Sequence, residues 1–414
     1  MATATPPTHG ETTATPEEEG FFKGALAKVN AFRQRHELAE TLIVFVGGFV
    51  FDVITLSRAD DVTTMLQQGA YLVALCALLA LEQRQALKGD LPRLLAKGME
   101  FAEPGIHFFL GALLSTFTLN YFKSGSGLTS LAFVAVMFVL LVANEFPRFR
   151  AYGQVVRFAL LSFCLLSYFA NLIPVLVGQV RPWMFVTAAV ASIACMGGVF
   201  WLLSKWSPTR RALLTRSVLP GLLVQAVLLA LYFAKVIPPV PLALTFIGIY
   251  HGVESPMRAV QVQATGPGVR TDKPVMREER FVTNGKYRLL HERPWWAFWQ
   301  HGDQEFFARD GDQVYCFFSI FAPNRFQDQI DIVWTRWDEA RGEWVLKEKA
   351  AIPLGRGGVI QDSGWRWFRS KARYEPGDWR AEVQTEDGRT IGAIKLTIYK
   401  DTRVEPRQFV MDLR

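Results

Sequence analysis

Seven apolar segments, with basic residues gathered on alternate flanks, constrain this chain more than any other feature. The segments run at roughly 38–56, 66–82, 106–122, 128–143, 155–179, 183–203 and 217–236. Most reach the ~17–25 residues needed to cross ~30 Å of hydrocarbon, with the second and fourth at the short end. Connections of one parity carry Lys23, Lys28, Arg33, Arg35, Arg84, Lys88, Arg93, Lys97, Arg148, Arg150, Lys205, Arg210, Arg211 and Arg216. The other side carries only Arg58, Lys123, Arg181 and Lys235. Lysine and arginine are retained on the cytoplasmic side of short loops. A ratio of 14 to 4 therefore sets the N-terminus inside, and seven crossings set everything after residue 236 outside.

The segments before the first span read differently. Residues 1–19 are rich in Thr, Pro and Glu and have almost nothing to bury, so they are expected to be disordered. Residues 20–37 place Phe21, Phe22, Ala25, Leu26, Val29 and Phe32 on one broad helical face, with Lys23, Lys28, Arg33 and Arg35 outside it. That pattern predicts a helix lying on the inner membrane surface. Within 38–236, Gly47-Gly48, Gly111 with Ser115, and Ala188 with Ser192 would let helices approach closely.

Charge bears on partners. The chain carries a formal +7, but from residue 253 on there are 26 Lys+Arg against 24 Asp+Glu, or +2. The remaining +5 belongs to the apolar half, where basic residues set orientation. That is no footprint for nucleic acid. Cys76, Cys164 and Cys195 lie inside apolar runs, and Cys316 is the lone cysteine after them, so no internal disulfide is available there.

The C-terminal part changes period. Residues 237–268 begin with a proline-rich connector (Pro238, Pro239, Pro241) and continue through Leu242–Tyr250. Nine apolar residues are too few to cross a bilayer, so that stretch is an apolar strand or a surface-lying segment; an eighth crossing would move the C-terminus inside. From 269 to 414 the sequence predicts an antiparallel β-sandwich, immunoglobulin-like in character, built from six or seven short strands. Val314–Phe321 is a buried-strand run. Ile330–Trp337 and Trp344–Ala351 flank a turn at Asp338–Glu343. Trp379, Ala381 and Val383 alternate with Arg380, Glu382 and Gln384, and Asp387-Gly388 turns the chain into Ile391–Tyr399.

Trp344-Val345, Trp365-Arg366-Trp367, Pro376-Gly377-Asp378-Trp379-Arg380, Asp387-Gly388-Arg389 and Ile391-Gly392 together resemble the bacterial family called domain of unknown function 2914. The resemblance covers roughly 335–400. The upstream runs 315–323 and 237–244 are similar to its long members, which join such a domain to a multi-spanning region. The resemblance implies a bacterial inner membrane and a periplasmic placement of the β domain. It brings no activity and no catalytic residues.

Three groups of residues are candidates for function. Asp52, Asn120, Asn171 and Gln179 fall in the outer halves of odd-numbered spans, with Arg58 and Arg181 just beyond. Intramembrane polar groups are costly and mark ligand paths, so these six could line an outward-facing cavity. Equally, Asp52 could pair with Arg58 and the amides bond between helices. Nine of the twelve tryptophans lie between 295 and 379. Trp295, Trp296 and Trp299 are hard to bury together, while Trp365 and Trp367 share a strand face with Arg369. Indoles beside arginine suit sugar rings or lipid head groups, whereas Trp344 and Trp379 fit inward core positions. Finally, His251, His291, His301, Asp303 and Glu305 lack metal-ligand spacing and read as solvated loop residues.

No phosphate-binding glycine loop, nucleophile elbow or paired carboxylates emerge, and neither metal nor cofactor is expected. The sequence therefore points to a membrane-anchored β-sandwich that recognises an envelope protein, glycan or lipid head group. A transporter or lipid-handling protein is the alternative. The oligomeric state is not encoded in any pattern found.

Overall fold

The computed structural model describes residues 62–88, 99, 102–125, 127–145, 153–206, 210–254, 257–262, 275–280, 286–323, 328–353, 359–361 and 364–414. The expected disordered tail, surface helix and first span (1–19, 20–37, 38–56) lie outside these residues. So do Asp52 and Arg58.

Six helices come first: α1 Val62–Lys88, α2 Ala102–Ser124, α3 Gly127–Glu145, α4 Gly153–Val177, α5 Pro182–Ser204 and α6 Arg210–Phe233. Five of them are long and apolar enough to cross a membrane; α3 carries only the shorter apolar stretch Ser130–Leu140. These six coincide with the second to seventh spans expected from sequence, and five of them qualify. Within α6, Leu214–Val218 forms a π-helical turn.

α4 sits at the centre of the bundle and packs on α5, α6, α1 and α2. Its polar residues explain how. Gln225 Nε2 on α6 donates to Ser162 Oγ (2.9 Å), Ser162 O (3.1 Å) and Ser192 Oγ (2.6 Å), which ties three helices together. Gly221 permits this approach, because an added Cβ there would meet Met196 Cε at 2.9 Å. Arg157 on α4 pairs with Glu82 on α1 and reaches Glu103 on α2 at 3.5 Å. Ala188 and Ser192 are buried, as their small size suggested.

Among the described residues fourteen strands follow in four sheets, eleven of them within 269–414, where six or seven were expected. Two sheets are large. One runs β1 (Ala243–Tyr250), β7 (Val314–Phe321), β11 (Gly364–Lys371), β10 (Val359–Gln361). The other runs β6 (Glu305–Ala308), β13 (Thr390–Lys400), β12 (Gly377–Thr385), β8 (Gln329–Asp338), β9 (Glu343–Pro353). Their inner faces share one core, in which Ile249, Phe318 and Ile320 meet Ile332, Trp334, Trp379 and Ile398. A small sheet joins β14 (Val410–Leu413), β5 (Arg288–His291) and β2 (Gly252–Glu254), and β3 (Met257–Val262) pairs with β4 (Val275–Arg280). The extra strands are mostly three or four residues long, too short for alternation to register.

One expectation needs correction and one alternative is decided. The domain is not wholly antiparallel, because β6 runs parallel to β13, from Thr397↔Glu305 to Lys400↔Ala308. Strand direction depends on where the preceding loop delivers the chain, and periodicity does not carry that. Of the readings left open for Leu242–Tyr250, the strand is the one observed. Its residues from Ala243 on form β1, paired with β7 from Ala243↔Phe321 to Tyr250↔Tyr315. The β domain thus starts inside the stretch read as a connector.

The β12–β13 hairpin tip rests on the bundle. Arg181, at the start of α5, pairs with Glu386 and reaches Asp328 at 3.6 Å, while the Val180 N–H donates to Asp328 Oδ2 at 2.7 Å. Arg389 places its Cζ 3.3 Å from the ring centre of Tyr232 on α6. Tyr232 in turn stacks on Phe185 of α5 at 3.9 Å.

Candidate functional site

The residues joining β5 to β6 build an unusual surface. Trp295 is 91% exposed, Phe298 79%, Trp299 60% and Trp296 55%, while Ala297 between them is 1% exposed. Exposed aromatic clusters of this kind mark interaction surfaces. The loop is nonetheless firmly built. The Ala297 N–H donates to Pro294 O and the Gln300 N–H to Ala297 O, both at 3.0 Å, which makes two consecutive turns. Arg293 donates to Gln300 O and lies 3.7 Å from Asp412. The Trp296 and Trp299 ring centres are 5.9 Å apart, and Phe298 meets Trp299 edge-on at 5.3 Å.

The base of the loop is closed by a carboxylate. The Glu292 N–H donates to both oxygens of Asp303, each at 3.0 Å. The Asp303 N–H reaches Ile249 O at 2.7 Å, and the Ile249 N–H reaches His301 O at 3.1 Å. Gly302 must be glycine. Its φ is +73°, and an added Cβ would sit 1.8 Å from Ile249 O.

Beneath this closure lies a buried ionic cluster. The His251 ring stacks on Phe306 at 3.9 Å, and its Nε2 lies 3.7 Å from Asp303 Oδ2 and 4.0 Å from Glu292. Arg407 Nη1 is 3.4 Å from His251 Nδ1. A guanidinium can only donate, so the neutral ring accepts at Nδ1 and carries its proton on Nε2, facing Asp303. Arg407 also donates to Asp312 at 2.6 Å, and Arg403 donates to Glu292 at 2.9 Å and Asp401 at 2.8 Å. The bonds from Arg403, with those from Arg309, hold the Asp401 carboxyl well below the usual carboxylate range. His291 and Asp303 are buried and the His251 side chain is 4% exposed, which corrects their reading as solvated loop residues; only His301 of the histidines here is exposed. Nothing in their sequence spacing signalled this, because His251 arrives just past the end of β1. Among the described residues no three of His, Cys, Asp and Glu are grouped to hold a metal.

Burial sets the titration of this pair in opposite senses. It pushes Asp303 up to about 7, against the backbone N–H bonds from Glu292 and Arg293. Burial, aided by Arg407, pushes His251 down to about 4. The folded protein therefore binds an extra proton at Asp303 between about pH 4 and 7, which makes that contribution to stability fall as pH rises. At His251 the unfolded chain binds the extra proton between about pH 4 and 6.5, so that contribution falls as pH drops. The two slopes cancel over most of their shared window. His251→Phe is expected to leave a domain that loses about 3 kcal/mol on going from pH 4 to 7, and Asp303→Asn one that loses a similar amount from pH 6.5 to 4. Tryptophan fluorescence melts of the detergent-solubilised chain across that range check both, and slopes of equal sign in the two variants would refute the assignment.

The sequence-derived candidates disperse. Asn171 is buried but donates to Ser167 O of its own helix at 2.8 Å, and Asn120 and Gln179 are half-buried. Arg181 finds its partners in the β domain. Trp365, Trp367 and Arg369 stand in register opposite Ile320, Phe318 and Cys316. Trp379 is buried, with its indole N–H donating to Glu375 O at 2.8 Å, as its alternation suggested. Trp344 is only half-buried, edge-on to Trp337 and under Arg380, so its inward placement is corrected.

With this geometry in hand, comparison with known proteins adds one firm result. Residues 327–398 match the family described as Protein of unknown function (DUF2914). The DUF2914 segment runs from β8 nearly to the end of β13 and so includes the hairpin on the bundle. It excludes the aromatic loop and the His251–Asp303 cluster. No curated protein matches the chain. Among solved structures, a β-glucosidase from Listeria innocua in complex with glucose is 12% identical, over 36% of this chain and 22% of that one, with a TM-score of 0.17. The Pseudomonas fluorescens alkylpurine DNA glycosylase AlkC, bound to DNA containing an abasic site analog, is 10% identical over 83% of this chain and 100% of that one, with a TM-score of 0.20. Likenesses at those scores carry no argument about fold or function.

Proposed function

We propose that this protein is a multi-pass protein of a bacterial inner membrane whose helices anchor a periplasmic recognition domain, with Trp295, Trp296, Phe298 and Trp299 as the contact surface. The exposure of four large aromatic side chains on a loop with a buried, hydrogen-bonded base is the observation that carries this reading. Rigid aromatic side chains supply contact area at little cost in conformational freedom. The partner is an envelope glycan, protein or lipid head group. The placement draws on the basic residues, fourteen on one side of the apolar segments and four on the other.

Two experiments test the two halves of the reading. A reporter that is active only outside the cytoplasm, fused after Arg414, is expected to be active, and protease added to spheroplasts is expected to remove the β domain. Activity of a cytosolic reporter at the same junction would reverse the orientation. For recognition, the full chain in detergent is screened against peptidoglycan, envelope glycans, lipids and envelope extract, alongside the loop variants treated in the Discussion.

A further inference from the structure

The aromatic loop points in a definite direction, and the backbone around it sets that direction. β1 starts at the helical bundle: α2 packs against it, and Pro238, just before it, lies alongside Gly125 at the end of α2. Residues 301–303 run parallel to β1 along the edge that β7 leaves open. The bonds from the Ile249 N–H to His301 O and from the Asp303 N–H to Ile249 O hold them there. Parallel alignment means that the chain approaches His301 from the Ala243 end of β1, which is the bundle end. The side chains agree, since the His301 ring meets the ring of Phe246, early in β1, at 5.2 Å. Arg293 and Gln300, joined by a hydrogen bond, form the neck of an excursion whose tip is Trp295–Trp299. That tip is directed back toward the bundle.

Height follows from strand geometry. At ~3.3 Å per residue, Phe246 stands about 10 Å beyond the start of β1, and the indoles lie on the bundle side of it. They therefore occupy the layer just past the helix ends. The bundle carries exposed aromatic residues at this same end: Phe122 on α2, Trp183 on α5 and Phe233 on α6. Aromatic rings gather where hydrocarbon gives way to lipid head groups. The exposure of Trp295, Trp296, Phe298 and Trp299 means that they stand clear of the helices and not against them.

We infer that the aromatic loop is seated in the head-group layer of the bilayer that the helices cross, so that its partner is the lipid interface itself. The inference rests on the membrane anchoring and recognition surface proposed above, and it names the partner of that surface. Three points select lipid over a glycan or a protein. The loop faces the membrane at short range, where a large soluble partner has little room. The rings also splay: Trp296 and Trp299 are inclined by 52°, and Phe298 and Trp299 by 79°, so they offer no common flat face along which a row of sugars could lie. A fluid interface needs no such face. Finally, Pro294–Trp299 carries no charged side chain, so seating it among head groups removes no charge from water.

The test is tryptophan quenching in the full chain, reconstituted into nanodiscs of phosphatidylethanolamine and phosphatidylglycerol. The wild type is compared with a variant carrying Trp295→Phe, Trp296→Phe and Trp299→Phe, which keeps an aromatic ring at each position. The difference between their emissions isolates these three indoles from the other tryptophans. Lipids brominated high on the acyl chains are expected to quench most of that difference signal. Aqueous iodide is expected to quench it several-fold less than it quenches N-acetyltryptophanamide, and its emission is expected to be shifted to the blue of indole in water. Trp295→Phe alone, at the most exposed of the three, repeats the measurement if the triple variant melts at a lower temperature. Iodide quenching equal to that of the free indole, or no loss of signal in brominated lipid, would overturn the inference. Binding of peptidoglycan fragments by the same nanodiscs then separates the two readings. Saturable binding that is lost when the three tryptophans become alanine leaves the recognition surface standing and removes only its assignment to lipid, whereas no binding removes both. A chain released from native membranes by carbonate overturns the membrane placement beneath them.

Discussion

Replacing Gly302 by alanine is expected to lower the melting temperature of the β domain by roughly 8 °C or more. Two effects add at this residue. A side chain in the left-handed region costs about 1–2 kcal/mol. The new Cβ would also stand 1.8 Å from Ile249 O, an overlap that backbone must relieve. The parallel bridge between Ile249 and Gly302 would have to open. With it would go the bond from the Asp303 N–H to Ile249 O and the closure of the aromatic loop. A loss of about 3–5 kcal/mol follows, and for a domain of this size each kcal/mol moves the melting temperature by roughly 2–4 °C. Gly311→Ala is the matched control. Gly311 also has a positive φ, +91°, but its added Cβ would meet nothing within 4 Å. It isolates the backbone cost, expected to be near 1–2 kcal/mol. Thermal melts followed by tryptophan fluorescence compare the two, and equal shifts would show that the contact with Ile249 is not the deciding feature.

Replacing Trp295, Trp296 and Trp299 together by alanine is expected to abolish recognition while leaving the fold unchanged. Truncating a central aromatic anchor in an interface costs about 2 kcal/mol or more, so losing three should weaken binding by at least about 100-fold. Their exposures of 91%, 55% and 60% mean that little folded-state burial is lost. The loop's turns, its Ala297 anchor and the Asp303 closure do not use the indole rings. The melting temperature is therefore expected to move by less than about 2 °C. Undiminished capture of envelope material by the triple variant would remove the loop from the function. A large drop in stability would show instead that the indoles serve the fold. Ala297→Asp is the complementary change: it leaves every indole in place but puts a charge at a position 1% exposed, and it is expected to disorder the platform and lose binding by that route.

How much of this was legible in the sequence depended on the length scale of the signal. Helices and long strands declare themselves through many residues at one period, so Val314–Phe321, the turn at Asp338 and the Asp387-Gly388 hairpin were readable in advance. Asp338 caps its turn by accepting from the Ala340 and Arg341 N–H groups, at 3.0 and 3.2 Å. Strands β2, β5, β6, β10 and β14 carry three or four residues each and leave no period to read. Of the candidate polar residues, those described meet neighbours that the sequence did not name, for a related reason. Helical position says which end of a span a residue occupies but not which neighbour it meets. Arg181 met Asp328 and Glu386 from the β domain, and Asn171 bonded its own helix.

The residue pattern alone determined that the first half is a series of apolar helices and the second a β domain, because hydrophobic length and period are properties of contiguous residues. It also picked out Trp295, Trp296 and Trp299, since three indoles in five residues have no common core to enter. Only the tertiary structure decided that the His251 ring meets Asp303, that β6 runs parallel to β13, and that Arg389 crosses to Tyr232. Each of those facts joins residues distant along the chain. Their placement is set by which surfaces pack and which backbone groups must be satisfied once the sheets and helices close on one another, and no local period records that.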